Sequence, residues 1–269
     1  MATSQPASSP AKPVLYHAPS SYYSMIARLA LAEAGIDHAQ VFMDIHLRCR
    51  QQSPAYARLN PNMTVPTLVL PGQILVQSRD ILNFAVQPTH PSNPQTEAWL
   101  DLHYAYPVEE LTFGGLLARS RLARTLIPAR LAAIHRRLLK LAAANPDLAH
   151  IYQTRAALFA QRLRVFNPQA ASALLSARRE QAIAILNRLD AHLAHGEPAI
   201  VPPHYGAADI VFTVFLARME FAGLAHEVFR RPHMARYYNA MKSRPGFAAA
   251  DIWTRIHFMR MVRGVVFDR

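Results

Sequence analysis

The sequence predicts two domains: a small α/β domain over residues 13–87 and an all-α helical bundle over residues 97–269. Three observations predict them. Short aliphatic runs bounded by Pro and Gly occur before residue 77, which suits strands. Apolar residues at helical spacing dominate after residue 97. Between them, residues 87–94 hold three prolines and no apolar periodicity, so 88–96 reads as a linker.

Each element follows in order. Residues 1–12 are Ala, Ser, Pro, Gln and Thr with one Lys after the initial Met, and read as a disordered tail. They lack the charged-then-apolar pattern of a secretory signal and the Arg of a transit peptide, so a cytoplasmic protein is expected. Val14 to His17 is a short strand between prolines. Ile26, Leu29, Ala30 and Leu31 define a helix that ends at Gly35. Val41, Phe42 and Ile45 suggest a second strand, and Pro54 to Leu59 a short helix. Thr67 to Leu70 and Ile74 to Val76 flank Pro71-Gly72, a hairpin. Ser78 is placed to cap a helix through Ile81, Leu82 and Phe84. The helical half begins near Trp99. It contains a long basic helix over 122–144, others over 172–194 and 209–222, and two short ones over 232–243 and 246–262.

Composition narrows the function. No apolar run reaches the ~18 residues of a membrane-spanning helix. Cys49 is the single cysteine, which rules out an internal disulfide and a multi-thiolate zinc site. No metal is expected. The formal charge is +12, with seven basic residues and no acid from Arg119 to Lys140. Such a run is a solvated helix face, an anion-attracting cleft wall, or a nucleic-acid footprint. Only three of the 29 basic residues are Lys, so a coding bias toward Arg gives the same picture.

Three motifs carry chemistry. Val65-Pro66 lies just before a strand. The cis form of such a bond costs only about 0.5–1 kcal/mol over trans. Held cis, it would turn the Val65 N–H and C=O toward an extended peptide, which could add as a strand. Gln77-Ser78 opens a helix. Free N–H groups and a hydroxyl there suit a carboxylate, and Gln77 can accept from an ammonium. Together they fit an α-amino acid head group. Ser21, Tyr22, Tyr23 and Ser24 cluster between the first strand and its helix. One hydroxyl aimed at a thiol can lower its pKa. A free thiol sits near ~8.5, a drop of about two units is ~2.7 kcal/mol, and a hydrogen bond to a charged group supplies roughly 1.5–3 kcal/mol. Taken alone, Val65-Pro66 reads first as an ordinary trans turn and the hydroxyl cluster as caps and surface hydroxyls, while Ser78 can be a plain N-cap and a ligand donor at once.

In order and spacing, Tyr16 to Gly35, Asn60 to Leu70, Gln77 to Ile81 and Tyr205 to Ile210 resemble the cytosolic glutathione transferases. The resemblance implies a thioredoxin-like first domain, an all-helical second one, and glutathione as co-substrate. In the second domain, Gly206 stands where that family usually has Ser or Thr. Within the family, Ser24-Met25 with Arg28-Leu29-Ala30, Pro146 to Leu148 with Ile151 to Gln153, and Ala208 to Ile210 with Leu216 to Glu220 look closest to the bacterial reductive dehalogenases of chlorinated hydroquinones. Those use a serine and, two residues on, a cysteine that forms a mixed disulfide with glutathione. Ser21 takes the serine position and Tyr23 the cysteine position, and a phenol forms no disulfide. The resemblance therefore implies a glutathione transferase with Ser21 as the thiolate-stabilising hydroxyl, Ser24 and Tyr23 as its runners-up. Val65, Pro66, Gln77, Ser78 and Gln51 would hold glutathione. An electrophilic, aromatic second substrate would lie between the domains, against Tyr104, Phe113, Leu117 and Arg121, with Tyr106, Arg119 and Phe215 nearby. A homodimer is implied. Two other readings stay open: a non-catalytic glutathione- or ligand-binding protein of this fold, and a basic nucleic-acid-associated protein.

Overall fold

The computed structural model describes residues 12–89 and 91–255. Four strands, β1 (Val14–His17), β2 (Ala39–Phe42), β3 (Thr67–Leu70) and β4 (Gln73–Leu75), form one mixed sheet in the order β2-β1-β3-β4. β1 runs parallel to β2 and antiparallel to β3, and Leu15 faces Gln40 on one side and Leu68 on the other. Side chains alternate across a strand. Leu15 therefore enters the core with α1 (Tyr22–Glu33) and α3 (Ser78–Val86), while Tyr16 packs on Tyr56 of α2 (Pro54–Leu59). The sheet is thus covered on both faces, in the thioredoxin-like manner.

Nine further helices follow among the described residues. They are α4 (Pro94–Ala105), α5 (Val108–Arg119), α6 (Arg121–Ala144), α7 (Ala149–Val165), α8 (Ala171–Leu193), α9 (Ala207–Phe221), α10 (Ala225–Phe229), α11 (Pro232–Lys242) and α12 (Pro245–Ala249). α9 is buried from Ala207 through Met219, and it packs against α1 and α4. One apolar core consequently runs through both halves, from Leu15 and Leu29 to Phe212 and Phe215. No described helix is long and apolar enough to cross a membrane.

Several expectations shift. α4 starts at Pro94, inside the span read as linker, because Asn93 accepts from Thr96 N–H at 2.9 Å and Pro at the first helical position needs no N–H. Ile45 lies beyond β2 and packs against the Tyr56 cluster instead. Gln77, not Ser78, is the N-cap of α3, and Ser78 is its first helical residue. The helix expected over 246–262 stops at Ala249: Asp251 is left-handed, with φ 48°, and breaks the repeat. The rest of that span, from residue 256, lies outside the described residues, as does the predicted tail through residue 11.

The basic run has a structural use. α6 and α7 form a long hairpin whose Ile134, Leu138, Tyr152 and Phe159 pack with Cys49, Ala57 and Met63 of the first domain. Arg130 Nη2 donates to the carbonyls of His46 and Leu47 and to Cys49 Sγ, and Arg137 Nη1 donates to Arg48 O. Arg124 donates to Leu117 O and Ala118 O at the end of α5. The hairpin thereby grips the loop that follows β2, and Tyr152 Oη adds a bond to Gln52 O.

Candidate active site

The turn from Ala18 to Ser21 joins β1 to α1 and is fastened from three directions. Ser21 is the N-cap of α1, and its Oγ accepts from Ser24 N–H at 3.3 Å. A hydroxyl has two lone pairs and one proton. Capping uses a lone pair and leaves the O–H of Ser21 able to donate, at the positive end of a 12-residue helix. Ser24 is fully buried beneath the turn, and its Oγ accepts from Ala18 N–H at 3.4 Å. Burial takes Ser24 away from any ligand in the cleft. On the outer side, Ser20 Oγ and His46 Nε2 are 2.8 Å apart. Underneath, the Arg28 guanidinium donates to Ala18 O and Pro19 O.

The aromatic members of the cluster point toward the helical domain. Tyr22 Oη and His103 Nε2 are hydrogen-bonded at 2.6 Å in the core between the domains. Burial pushes the Tyr22 phenol well up and lowers His103 to about 3. Tyr23 is half-buried and stacks on Tyr104, with centroids 6.3 Å apart and planes 8° from parallel. Burial, then the Glu109 charge, raise its phenol. Tyr104 Oη lies 3.3 Å from Ser78 Oγ. Tyr104, expected only against the second substrate, therefore links the Tyr23 side of the cleft to Ser78.

The other expected ligand residues lie on the first domain's side. The Val65–Pro66 bond is cis and directly precedes β3. Gln77 is exposed at the N-terminus of α3, and Ser78 is buried beside it. Gln51 sits in a short 3-10 turn, Arg50–Gln52, and its buried Oε1 has no hydrogen-bond partner among the described residues.

The residues expected to line a pocket along α5 do not converge on one surface. Leu117 is fully buried against Phe166 and Ala171, and Phe113 packs edge-on to Phe166 at 5.4 Å. Both face the interior of the helical domain, because α5 turns that side toward α8. Phe215 is likewise core, edge-on to Tyr106, whose Oη donates to Arg178 O. Arg121 is exposed at the start of α6. Arg119 is exposed as well, with Nη2 donating to Ala222 O. The residue that reaches the turn from α9 is Arg218. Its Nη2 donates to Ser20 O at 3.4 Å, and its guanidinium lies 5.4 Å from the Tyr22 ring centroid. Sequence reasoning did not single it out, although it stands in the Leu216 to Glu220 stretch that carried the resemblance.

A strand–turn–helix with a capping serine, a cis proline before an antiparallel strand and a polar helix start thus belong to one small α/β domain, packed against an all-helical one. Residues 12–87 match the glutathione S-transferase N-terminal domain family, and residues 169–240 match the glutathione S-transferase C-terminal domain family. The chain is 31% identical over 248 residues to tetrachloro-p-hydroquinone reductive dehalogenase of Sphingobium chlorophenolicum, covering 88% of this chain and 95% of that protein. This chain belongs to the glutathione S-transferase family. It is also 22% identical to the glutathione S-transferase TCHQD of Arabidopsis thaliana, over 87% of both chains. In fold it is similar to a glutathione transferase family member from Pseudomonas fluorescens pf-5 crystallised with two glutathione bound. There the TM-score is 0.65 at 16% identity, covering 92% of this chain and 95% of that one. In this chain the α6–α7 hairpin falls between the two matched spans.

Two buried histidines make this chain's fold acid-sensitive. Burial, with Arg28 nearby, lowers His17 to about 3, and burial lowers His103 to about 3. Both stay neutral when folded, whereas in the unfolded chain they charge near pH 6.5. Below that pH the unfolded chain binds protons the folded one refuses. Stability is therefore full above about pH 6.5 and falls as pH drops toward about 3, by up to ~1.4 kcal/mol per unit for each site. Urea unfolding is expected to give about 2.7 kcal/mol less stability at pH ~5.5 than at pH ~7.5, with His103→Gln removing close to half of that slope. A slope unchanged in that variant would mean His103 is charged when folded.

Proposed function

We propose that this chain is a glutathione transferase in which the Ser21 hydroxyl holds the bound thiol as thiolate for attack on an electrophilic aromatic carbon. The geometry of Ser21 carries the reading. Its cap bond to Ser24 N–H fixes the side chain at the mouth of the turn while its proton stays available to a sulfur. Val65, Pro66, Gln77, Ser78 and Gln51 hold the peptide, with the γ-glutamyl head at the N-terminus of α3. Family membership supports glutathione as co-substrate; it supports a cytoplasmic, homodimeric detoxification enzyme by likeness alone.

The reductive chemistry named for the Sphingobium relative is not assigned here. It would need a thiol next to the bound sulfur, and the resemblance sets Tyr23 at that position. Cys49, the single cysteine, is fully buried under Arg130.

Replacing Ser21 with alanine tests the role. One hydrogen bond to a charged group is worth roughly 1.5–3 kcal/mol, so the bound thiol should titrate about one to two units higher in Ser21→Ala. Thiolate absorbance against pH reads the shift, and calorimetry should show glutathione affinity within about three-fold of wild type. An unmoved titration would reject Ser21 and leave Tyr23 as the donor to test.

A further inference from the structure

Among the described residues, three arginines are almost wholly buried: Arg28, Arg218 and Arg231. Two of them are satisfied. Arg28 donates from Nε, Nη1 and Nη2 to four carbonyls and to His17. Arg231 donates from the same three nitrogens to Asn187 and Glu227. Arg218 is not. Its guanidinium makes a single long bond, Nη2 to Ser20 O, and its Nε has no partner. No acidic side chain of the described residues lies within ion-pair distance of it. The faces of Tyr22 and Phe221 enclose it instead, at 5.4 and 4.6 Å.

A buried charge without a counterion is costly, which makes an unpaired one a candidate for pairing with a ligand. Burial lowers the Arg218 pKa to about 10, which still leaves it a cation at neutral pH. Its contacts, Ser20 and Tyr22, are the two neighbours of Ser21. The cation therefore stands beside the proposed thiolate position, on the side of the helical domain where a second substrate would enter.

We propose that Arg218 is the receptor for a carboxylate on the second substrate, so that the acceptor class is aromatic acids carrying a leaving group. This rests on the glutathione-transferase reading. The fork of a guanidinium matches a planar carboxylate in two parallel hydrogen bonds, and the ring of such an acid can lie along the half-buried Phe221. An ionised carboxylate leaves the ring's electron demand nearly unchanged, whereas an ionised phenol would donate into it and oppose attack. In the reaction the thiolate forms a C–S bond at the carbon bearing halide. The C–halogen bond breaks, and its electron pair leaves as halide. No oxidant or reductant is required.

The test compares chlorodinitrobenzoate with its methyl ester, in wild type and in Arg218→Gln and Arg218→Lys, with glutathione saturating. Wild type should favour the acid over the ester in kcat/KM by at least ten-fold after correction for the uncatalysed rates. Arg218→Gln should abolish that preference, lowering kcat/KM for the acid at least ten-fold more than for the ester. Arg218→Lys, which keeps charge but loses the fork, should fall between. Free benzoate should compete with the ester and not with glutathione, a measurement that stands even if the variants fail to fold. Equal use of acid and ester by wild type would overturn the proposal. So would an equal loss on both acceptors in Arg218→Gln with an upward shift of the thiol titration, which would place the charge on the thiolate. Calorimetry with glutathione alone separates the two readings. No heat would sink the glutathione site itself, while normal heat and turnover without acid preference would sink only the role of Arg218.

Discussion

Asp209→Ala is expected to cost about 3–5 kcal/mol of folding stability while leaving the activity of each folded molecule nearly unchanged. Asp209 is fully buried at the third position of α9. Its carboxylate accepts from Ile200 N–H and Gly206 N–H, both at 2.9 Å, and from the Tyr237 hydroxyl at 2.7 Å. One side chain thus ties the start of the core helix, the loop before it and α11. Burial raises its carboxyl pKa in spite of those three donors, so the ion is held by geometry against its desolvation. Alanine would leave three buried donors unpaired, each costing about 1–3 kcal/mol. Gly206, the N-cap, has no side chain to share the task. Urea unfolding checks the size, and activity per folded molecule checks the separation from the cleft, some helical turns away. Asp209→Asn keeps one acceptor oxygen and should lose less. A loss under about 1 kcal/mol for alanine would mean that water or a shifted backbone replaces the carboxylate.

What the chain reveals before folding depends on how local the cause is. The mixed sheet and the helical half were legible because period-two and period-3.6 patterns are written in neighbouring residues. The roles of Ser21 and Val65-Pro66 were legible as candidates because a cap and an X-Pro bond are made within a few residues. The α3 cap missed by one residue, since Gln77 and Ser78 both suit a helix start. Phe113 and Leu117 could not be placed, because the same helix offers one face to the cleft and another to α8, and only tertiary packing chooses. The basic run of α6 looked like a surface field. Its Arg130 and Arg137 instead satisfy carbonyls of a loop some eighty residues earlier, a pairing no periodicity records. Arg218 was hidden for the same reason. What sets it apart is the missing counterion, which only appears once every neighbour is in place.

Arg28→Ala should remove roughly 3–5 kcal/mol of stability and, unlike Asp209→Ala, also impair the folded enzyme. Nε donates to Ala250 O at 2.7 Å and Nη2 to Asp251 O at 3.0 Å, which holds the segment after α12. Nη1 and Nη2 reach Ala18 O and Pro19 O at 3.3 and 3.2 Å, and Nη1 also meets His17 Nδ1 at 3.1 Å. These are the carbonyls of the turn that carries Ser21, so their loss should loosen the hydroxyl that we propose faces the bound thiol. A fall of about ten-fold in kcat/KM per folded molecule is expected, with the bound thiol titrating higher. Lysine offers three donors from one point, where Arg28 serves five acceptors from a planar fork. Arg28→Lys should therefore recover less than half of the lost stability. If lysine restored both stability and the titration, charge alone would explain the site; the fan of carbonyls around Arg28 argues that direction matters more, since carbonyls on opposite sides of the guanidinium belong to two segments more than two hundred residues apart.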